Sequence, residues 1–297
     1  MDRLEAMSLL VAVVEHGSLS AAGRALGVPV ATLSRKLSDL EARLGARLLT
    51  RTTRRLTLTD AGIGYVAAAR RILEQVEEAE REAAGEYSEP KGRLVVTAPI
   101  HFGRRHVLPL IVDFLAQFPA IDVRLVLSDR NIDLVDDQID MAVRIGRLPD
   151  SAMVATRVGS MRTVTCASPA MLAARGAPHA PADLQHWPRV TVDTPMPAPA
   201  WAGTSRLAVS TSEAAVDAAV RGVGVTRQLL YQVADAVRAG ELRILLEAFE
   251  PDPAPIHLLH AARGQLPLKT RRFLDFAAPR LRTELEGFTT EAPGQPA

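Results

Sequence analysis

Ser18-Leu19-Ser20-Ala21-Ala22-Gly23-Arg24-Ala25-Leu26-Gly27-Val28-Pro29 is the stretch that decides the fold of the N-terminal part of this chain. Ser18 is suited to accept a hydrogen bond from the free amides of a first helical turn, and Gly27 suits the left-handed conformation that ends a helix. Pro29 stands at the start of the next helix, where a missing N–H costs least. The stretch therefore predicts two helices joined by a tight turn.

The second of these helices has two chemically different faces. Leucines recur at helical spacing and predict a stripe that faces inward: Leu33, Leu37, Leu40 and Leu44. The residues left outside are mainly polar: Thr32, Ser34, Arg35, Lys36 and Asp39. Periodicity alone leaves two interpretations open, because amphipathic helices joined by a glycine-containing turn also build ordinary bundles. The outer face is the candidate reader of DNA.

Basic residues are concentrated in and after this helix. Residues 32–55 contain seven Arg or Lys against two acidic residues, although the whole chain has a net charge of only +1. Leu48-Leu49 and Leu56-Thr57-Leu58 predict two short strands that flank a basic loop. Such a local surplus is expected where a phosphate backbone is neutralised. We therefore predict a winged helix-turn-helix.

Length and composition narrow the class of protein. A chain of 297 residues predicts two or three folding units, and 47% hydrophobic residues can form large aliphatic cores. The single cysteine, Cys166, excludes an intrachain disulfide and fits a reducing compartment. It lies in an apolar run that predicts a buried strand rather than a reactive thiol. No signal peptide or bilayer-spanning run is visible, so we expect a soluble cytoplasmic protein with no membrane partner.

A long helix is predicted after the wing. Thr59-Asp60 supplies a cap and an acidic first turn, and no proline follows until Pro90. Residues 61–89 contain seven acidic and three basic residues, with an apolar heptad stripe at Val66, Ala69, Leu73, Val76 and Ala83. Pairing with a second copy would bury that stripe, whereas the alternative is a solvated connector.

Beyond a predicted hinge at 87–92 the pattern changes to alternating strands and helices. The first elements predict a β-α-β-α-β unit with a parallel sheet: strand 93–98, helix 99–118, strand 122–127, helix 133–138 and strand 140–145. Further along we predict a strand over 158–167, a helix over 212–221 capped by Ser212, and a last helix over 269–285. Residues 287–297 are predicted to be a disordered tail.

Several of these segments together closely resemble a LysR-type transcriptional regulator. In the N-terminal part they are Ser18 to Gly27, Leu40-Glu41-Ala42-Arg43-Leu44-Gly45, Arg51-Thr52-Thr53-Arg54-Arg55 and Leu58-Thr59-Asp60-Ala61-Gly62. In the remainder they are Gly92-Arg93-Leu94-Val95-Val96, Asp140-Met141-Ala142-Val143-Arg144-Ile145-Gly146 and Gly222-Val223-Gly224-Val225. The resemblance covers nearly the whole chain.

The resemblance implies a multi-domain α/β protein. It has an N-terminal winged helix-turn-helix, a long dimerisation helix, and a C-terminal effector domain of two α/β subdomains that resembles periplasmic solute-binding proteins. Family members usually assemble as tetramers and bind a small co-inducer between the subdomains. The chain differs from the common family pattern at Pro29-Val30-Ala31, where polar residues are frequent; here the first turn either contacts thymine methyl groups or packs.

The expected division of the chain follows from these segments. Residues 1–59 form the DNA-binding domain, and residues 60–89 form the linker helix and hinge. Residues 90–286 form the effector-binding domain, with subdomain I at about 90–161 and 262–286 and subdomain II at about 162–261.

Specific residues are candidates for DNA contact. Arg35 is the best candidate for a bidentate contact with guanine, because major-groove reading needs donors on one helix face. Thr32 and Ser34 are candidates for bases or phosphates, and Lys36 for the backbone. Ser18 and Ser20 are candidates for phosphate contacts at a helix start. The wing contributes its own candidates: Arg51, Thr53, Arg54 and Arg55.

Candidate effector contacts come from the ends of the predicted strands, because ligands of open parallel sheets bind outside the carboxyl ends of strands. They are Thr97, Pro99, His101, Ser128, Arg130, Arg144, Gly146, Thr226 and Arg227. The arginines and hydroxyls among them suggest an organic anion such as a carboxylate. His101, Arg144 and Arg227 have the alternative interpretation of salt-bridged surface groups.

Two other classes of protein are weaker alternatives. An enzyme is disfavoured, because Gly222-Val223-Gly224 lacks the third glycine of a phosphate loop and no nucleophile elbow or metal-ligand spacing is visible. A solute-binding protein with an accessory helical domain is disfavoured by the basic N-terminal module. We therefore expect no catalytic residue, no metal and no cofactor.

Overall fold

The computed structural model describes residues 2–51, 56–83, 89–129, 139–148, 153–193, 205–261 and 266–290. These residues belong to two compact units, Met1–Glu89 and Pro90–Ala297. In the parts of the chain so described, no single helix is long and apolar enough to cross a bilayer. One pair of helices, Arg3–Glu15 and Leu19–Leu26, reaches that threshold only when the two are taken together across a 119° bend.

The described residues of the N-terminal unit form four helices and one pair of antiparallel strands. In chain order they are α1 Arg3–Glu15, α2 Leu19–Leu26, α3 Val30–Leu44, β1 Leu49–Arg51, β2 Leu56–Leu58 and α4 Asp60–Ala83. The predicted helix-turn-helix and both predicted wing strands are therefore present. β1 and β2 are antiparallel, with Leu49 opposite Leu58 and Arg51 opposite Leu56.

A single apolar core holds this unit together. Leu10 of α1, Leu33 and Leu37 of α3 and Leu48 before β1 are almost completely buried, and Val66 of α4 packs against the same cluster. Three of the four leucines in the predicted stripe are buried, but Leu44 is 41% exposed. Leu44 was predicted wrongly because it is the last residue of α3, before the C-cap Gly45, where the last turn has left the core.

The C-terminal unit alternates strands with helices. Its strands are β3 Gly92–Ala98, β4 Ile121–Leu127, β5 Met141–Ile145, β6 Met153–Met161, β7 Thr163–Ala167, β8 Arg189–Val192, β9 Ser205–Val209, β10 Val225–Leu229, β11 Arg243–Leu245 and β12 Ala254–Ala261. Its α-helices are α5 Ile100–Phe102, α6 Leu108–Gln117, α7 Pro169–Arg175, α8 Ser212–Val220, α9 Leu230–Arg238 and α10 Leu268–Thr290.

These strands form two five-stranded sheets. The first has the order β4-β3-β5-β12-β6 and the second β11-β7-β10-β8-β9. In the first sheet β3 is parallel to both β4 and β5, as the predicted β-α-β pattern requires, and β12 is antiparallel to β5 and β6. The predicted helix over 133–138 lies outside the described residues.

The chain passes between the sheets at two places. The strand predicted over 158–167 is interrupted at Arg162, since β6 belongs to the first sheet and β7 to the second. The return lies between β11 and β12, at 246–253. Because β12 pairs between β5 and β6, the second subdomain ends before Ala254 rather than near 261 as predicted.

Arg162 ties these two crossings together. Its Nε donates to Glu250 over 2.8 Å, and its Nη2 donates to Glu250 and Glu247 over 2.7 Å each. These hydrogen bonds raise the pKa of the guanidinium further above its usual range. Leu246, which begins the return crossing, has φ +57°, a left-handed conformation that costs free energy in a non-glycine residue.

The predicted helix 99–118 contains an irregular turn. Residues Gly103–Val107 form a π-helical turn between α5 and α6. A Cβ atom at Gly103 would lie 2.2 Å from Cδ2 of Leu127 and 3.0 Å from Cβ of Ala98, so a larger residue here would displace the Leu127 side chain. The turn brings the buried His106 side chain against the ring of Phe102 and within 2.6 Å of Glu284.

The last helix is longer than predicted. α10 continues beyond 285 to Thr290, into the segment assigned to the tail, because Phe288 makes an edge-on contact with the ring of His106 at 5.7 Å. Residues 291–297 lie outside the described part of the chain. The predicted cap of α8 also differs: Thr211, not Ser212, accepts from Ala214 N.

Candidate nucleic-acid interface and ligand cleft

The turn between α2 and α3 has the geometry expected from its sequence. Ser18 has extended backbone angles, and its hydroxyl accepts from Ala21 N over 3.1 Å. Gly27 ends α2 with φ +66°, and Pro29 caps α3 through its carbonyl, which accepts from Thr32 N and Leu33 N. The first turn of α3 is therefore presented outward, with Val30 42% exposed.

The polar face of α3 contains side chains in different situations. Arg35 is exposed, whereas Thr32 and Ser34 are half-buried. The Lys36 ammonium forms an ion pair with Glu5 of α1. Lys36 therefore ties the candidate reading helix to α1, which the sequence did not predict. Ser20 is exposed on α2.

The structure describes the base of the wing, which consists of strands β1 and β2. β1 and β2 define the hairpin, and the backbone of Arg51 pairs with Leu56. Three predicted wing contacts, Thr53, Arg54 and Arg55, lie outside the described residues.

Helix α4 has buried apolar residues in its first half and partly exposed apolar residues in its second half. Thr59 caps it by accepting from Gly62 N over 3.0 Å, as predicted. Val66 and Ala69 are buried within the unit, while Ile72 is 36% exposed and Leu73 and Val76 are half-buried. The unit therefore leaves part of the α4 apolar stripe accessible.

In the C-terminal unit, His101 of α5 contacts residues of α8 and α9. Its Nδ1 lies 3.9 Å from Oε1 of Glu213 on α8, and its ring meets the edge of Tyr231 on α9 at 5.4 Å. Burial lowers the pKa of the imidazole below 6.5, although Glu213 partly opposes that effect. His101 is therefore a neutral imidazole over most of the physiological pH range.

Further polar groups surround this contact, and the sequence did not predict Tyr231 and Gln232 among them. Asp129 accepts from Ile100 N over 3.0 Å and so caps the turn that carries His101. Gln232 donates to Ser212 over 2.9 Å and to the Tyr231 hydroxyl over 3.3 Å. Burial, reinforced by the Asp129 and Glu213 charges, raises the pKa of Tyr231, so its hydroxyl stays protonated. We call His101, Asp129, Ser212, Glu213, Tyr231 and Gln232 the cleft wall, after the cleft between subdomains that the family resemblance implies.

Thr97, Pro99 and Ser128 support this wall. The buried Thr97 hydroxyl donates to Val126 O over 2.9 Å and joins β3 to β4. Ser128 N donates to Ala98 O over 3.0 Å, and Pro99 N-caps α5. Arg130 lies outside the described residues. Asp129 lies within the segment 128–130 that the sequence predicted from its position after a strand.

The remaining predicted contacts are dispersed. Arg144 lies opposite His257 in the first sheet, and Arg227 lies opposite Thr165 in the second. Burial lowers the pKa of both guanidinium groups. Gly146 has φ +108°, and its N–H donates to Pro255 O. The two arginines thus belong to different sheets.

Thr226 is directed toward the apolar core. It is 1% exposed and accepts from Gln228 over 2.8 Å. The neighbouring strand carries Cys166 opposite Thr226, with its thiol buried as predicted. Burial raises the pKa of Cys166 to about 12, so it is a poor nucleophile. Among the residues that the structure describes, no three His, Cys, Asp or Glu side chains are grouped to hold a metal ion.

Two family models match this chain. Residues 4–63 match the bacterial regulatory helix-turn-helix protein of the lysR family, and residues 88–282 match the LysR substrate binding domain. The two matched segments coincide with the helix-turn-helix and hairpin of the first unit and with both sheets of the second.

Similar proteins are named as regulators. An HTH-type transcriptional repressor of Pseudomonas aeruginosa (strain UCBPP-PA14) is 35% identical over 289 residues, covering 93% of this chain and 91% of that protein. The HTH-type transcriptional activator AaeR of Escherichia coli (strain K12) is 32% identical over 282 residues, covering 91% of each.

Solved structures extend the similarity to the fold. CrgA, a LysR-type transcriptional regulator from Neisseria meningitidis, is 29% identical with a TM-score of 0.59, covering 95% of this chain and 99% of that one. Full-length LysG from Corynebacterium glutamicum with bound effector Arg is 20% identical with a TM-score of 0.60, covering 95% and 98%. At that identity the second likeness concerns the fold alone.

Proposed function

We propose that this chain, which belongs to the LysR family of transcriptional regulators, reads its operator with the exposed face of α3 and is controlled by a small molecule at the cleft wall. Proteins of this family bind DNA and carry an effector-binding domain, and the similar proteins are named regulators rather than enzymes. The observation that carries the proposal is the capped helix-turn-helix, which buries Leu33 and Leu37 and leaves Arg35 exposed.

In this proposal the residues of the first unit have different roles in DNA binding. Arg35 reads a guanine, and Thr32 and Ser34 contact bases or nearby phosphates. Ser18 and Ser20 contact phosphates at the start of α2. The basic wing adds backbone contacts through Arg51, Thr53, Arg54 and Arg55. Lys36 contributes mainly by holding α3 against α1, since its ammonium is already paired with Glu5.

The test uses full-length protein and a duplex selected by this protein from a random pool. Binding is measured over a range of salt concentrations, and phosphate neutralisation predicts a steep negative slope of log affinity against log salt. Arg35→Ala should relax preference at one base pair by about 1–3 kcal/mol. An equal loss on every duplex would make Arg35 a backbone contact, and an absence of salt-dependent binding would defeat the proposal.

We also propose that α4 pairs with α4 of a second copy. Its partly exposed apolar residues Ile72, Leu73 and Val76 follow the part of the helix that is buried within the unit. Such a stripe is stabilised by a partner helix of the same kind. Sedimentation of Ile72→Glu should show smaller assemblies than the wild-type protein, which we expect to form dimers and tetramers. An unchanged distribution would place the main contact elsewhere.

For the effector, the cleft wall supports a ligand that donates hydrogen bonds. Glu213 is one-third exposed, and Asp129 adds a second carboxylate near Tyr231. The organic anion expected from the sequence would instead rely on Arg144 and Arg227, which lie in different sheets. The wall therefore favours an amine or polyhydroxyl compound. LysG, which has a similar fold, was solved with Arg as its bound effector.

Calorimetric titration of the full-length protein with aliphatic amines, sugars and carboxylates distinguishes these classes. A wall ligand should lose affinity in Glu213→Gln and keep it in Arg227→Gln. The opposite pattern, with binding of carboxylates alone, would restore the anion hypothesis. We expect this regulator to act in the cytoplasm, where both DNA and such metabolites are present.

A further inference from the structure

Glu41 is an acidic residue in the middle of the basic segment, and its carboxylate has a specific position. Glu41 lies on α3, one residue after the buried Leu40. Its Oε1 accepts from Leu48 N over 2.8 Å and from Leu49 N over 3.0 Å. These two amides belong to the residues with which the wing begins. One side chain of the reading helix therefore holds the start of the wing.

The main chain of Glu41 reinforces this connection. Its carbonyl accepts from Ala46 N over 3.3 Å, in the turn that ends α3 at Gly45. The connecting residues 45–48 are thus bonded to Glu41 at both ends. Because charged acceptors form stronger hydrogen bonds than neutral ones, the carboxylate is well suited to hold two amides together.

The opposite side of the same segment is bonded to the start of α4. Thr59 N donates to Leu48 O over 3.0 Å, and the Thr59 hydroxyl donates to Arg47 O over 2.6 Å. Gly62 comes so close that a Cβ atom there would lie 2.0 Å from Leu48 O. Both polar groups of the Leu48 backbone are therefore bonded, its N–H to α3 and its C=O to the residue before α4.

We propose that Glu41 is a positioning residue that sets the wing relative to the reading helix. The inference rests on the proposed role of the wing in DNA binding. A negative charge next to phosphates opposes binding, so its presence among seven basic residues requires a compensating contribution. The two amide hydrogen bonds provide that contribution, since they place β1 and β2 at a defined distance from α3.

The charge of Glu41 and its two hydrogen bonds are expected to have opposite effects on DNA affinity. Loss of the Glu41 charge alone should strengthen DNA binding, whereas loss of the two hydrogen bonds should weaken it. Asp39 provides the matched control, because it is an exposed acidic residue on the same helix. Glu41→Gln removes the charge but keeps a carbonyl oxygen that can accept from the same amides.

Binding of full-length variants is measured on the duplex selected by the wild-type protein and on an unrelated duplex of equal length. Glu41→Ala should weaken binding to both by at least about tenfold, the effect of losing one or two phosphate contacts, and should reduce the salt slope. Glu41→Gln should stay within about threefold of the wild type, and Asp39→Ala should bind equally or more tightly. Hydroxyl-radical footprints of Glu41→Ala should lose protection at the flanks and keep it at the centre.

Three results would overturn the proposal. Equal DNA affinities of Glu41→Ala and Asp39→Ala would make Glu41 an ordinary solvated charge. A loss of affinity in Glu41→Gln as large as that in Glu41→Ala would exclude the acceptor role. Uniform loss of the footprint at centre and flanks would indicate a general defect in the unit rather than a displaced wing. If the wild-type protein itself shows no salt-dependent binding, the proposed function fails, and that outcome is distinct from all three.

Discussion

The two units of this protein assemble their candidate sites in different ways. In the N-terminal unit the predicted DNA contacts come from one continuous stretch, 18–55, and those that the structure describes lie on or next to α2, α3 and β1. In the C-terminal unit the cleft wall joins His101 and Asp129 to Glu213 and Tyr231, which are far away in the chain. A local site can be recognised from spacing, whereas a dispersed site depends on how two sheets meet.

The largest expected effect on one unit alone is at Gly62, where the packing of the N-terminal unit leaves no space for a side chain. Gly62→Ala should destabilise that unit by about 3–4 kcal/mol, because a Cβ atom would lie 2.0 Å from Leu48 O. The C-terminal unit should keep its own unfolding transition in urea, monitored by circular dichroism.

Gly64 is the matched control, since a Cβ atom there meets nothing within 4 Å. Gly64→Ala in the same helix should stabilise the unit by about 0.5–1 kcal/mol. Equal effects of the two substitutions would show that the close approach of α4 to Leu48 has no energetic consequence.

The equivalent test in the C-terminal unit is Arg162, which joins the two crossings between its sheets. Arg162→Ala should lower the free energy of unfolding of that unit by about 2 kcal/mol, because Glu250, only 12% exposed, loses its charged partner. Differential scanning calorimetry measures the change. Arg238→Ala breaks a pair with Asp235 in which both side chains are more than half exposed, and it should cost less than about 1 kcal/mol.

Equal changes in stability for the two arginine variants would show that the Arg162 ion pairs at the crossings stabilise the unit no more than an exposed surface pair does. A larger loss in Arg162→Ala would instead confirm that distant residues hold this unit together.

A pH effect should also separate the units, because His101 and His257 both belong to the C-terminal one. Burial lowers the pKa of each imidazole below 6.5, and Arg157 adds to the effect at His257. The unfolded chain therefore takes up these protons at higher pH than the folded chain. The free energy of unfolding should consequently be highest above pH 6.5 and fall as the pH decreases through that value.

Urea titrations between about pH 7.5 and about pH 5.5 follow this change. His101→Gln should make the C-terminal transition less dependent on pH, while an unchanged slope would show that His101 is protonated equally in both states. The ionisable groups around His101 are Glu213, Arg104, Arg105 and His106, and they remain in this variant.

The smallest expected effect concerns Cys166, which lies in β7 with no exposed surface. Because burial raises its pKa to about 12, a thiol reagent should leave the native protein unmodified near neutral pH. After denaturation one equivalent should react. Rapid modification of the native protein would mean that β7 separates from its neighbouring strands.

The sequence was informative wherever a structure depends on near neighbours. Ser18 and Gly27 are residue types with strong local preferences at helix ends, and both positions have the predicted geometry. Leu44 was predicted wrongly, since periodicity does not say where a helix leaves its core. The strand predicted over 158–167 was divided at Arg162, because uniform β propensity does not show where a chain changes sheets.

The sequence by itself determined the order of the elements, the helix-turn-helix and its hairpin, and the resemblance to the LysR family that the comparisons confirmed. Only the tertiary structure decided that Glu41 and Thr59 bond the start of the wing, and that Glu213 and Tyr231 meet His101. The physical reason is the separation along the chain of the residues that interact. Caps, turns and periodic faces depend on interactions within a few residues, whereas these contacts depend on packing between elements that sequence spacing does not specify.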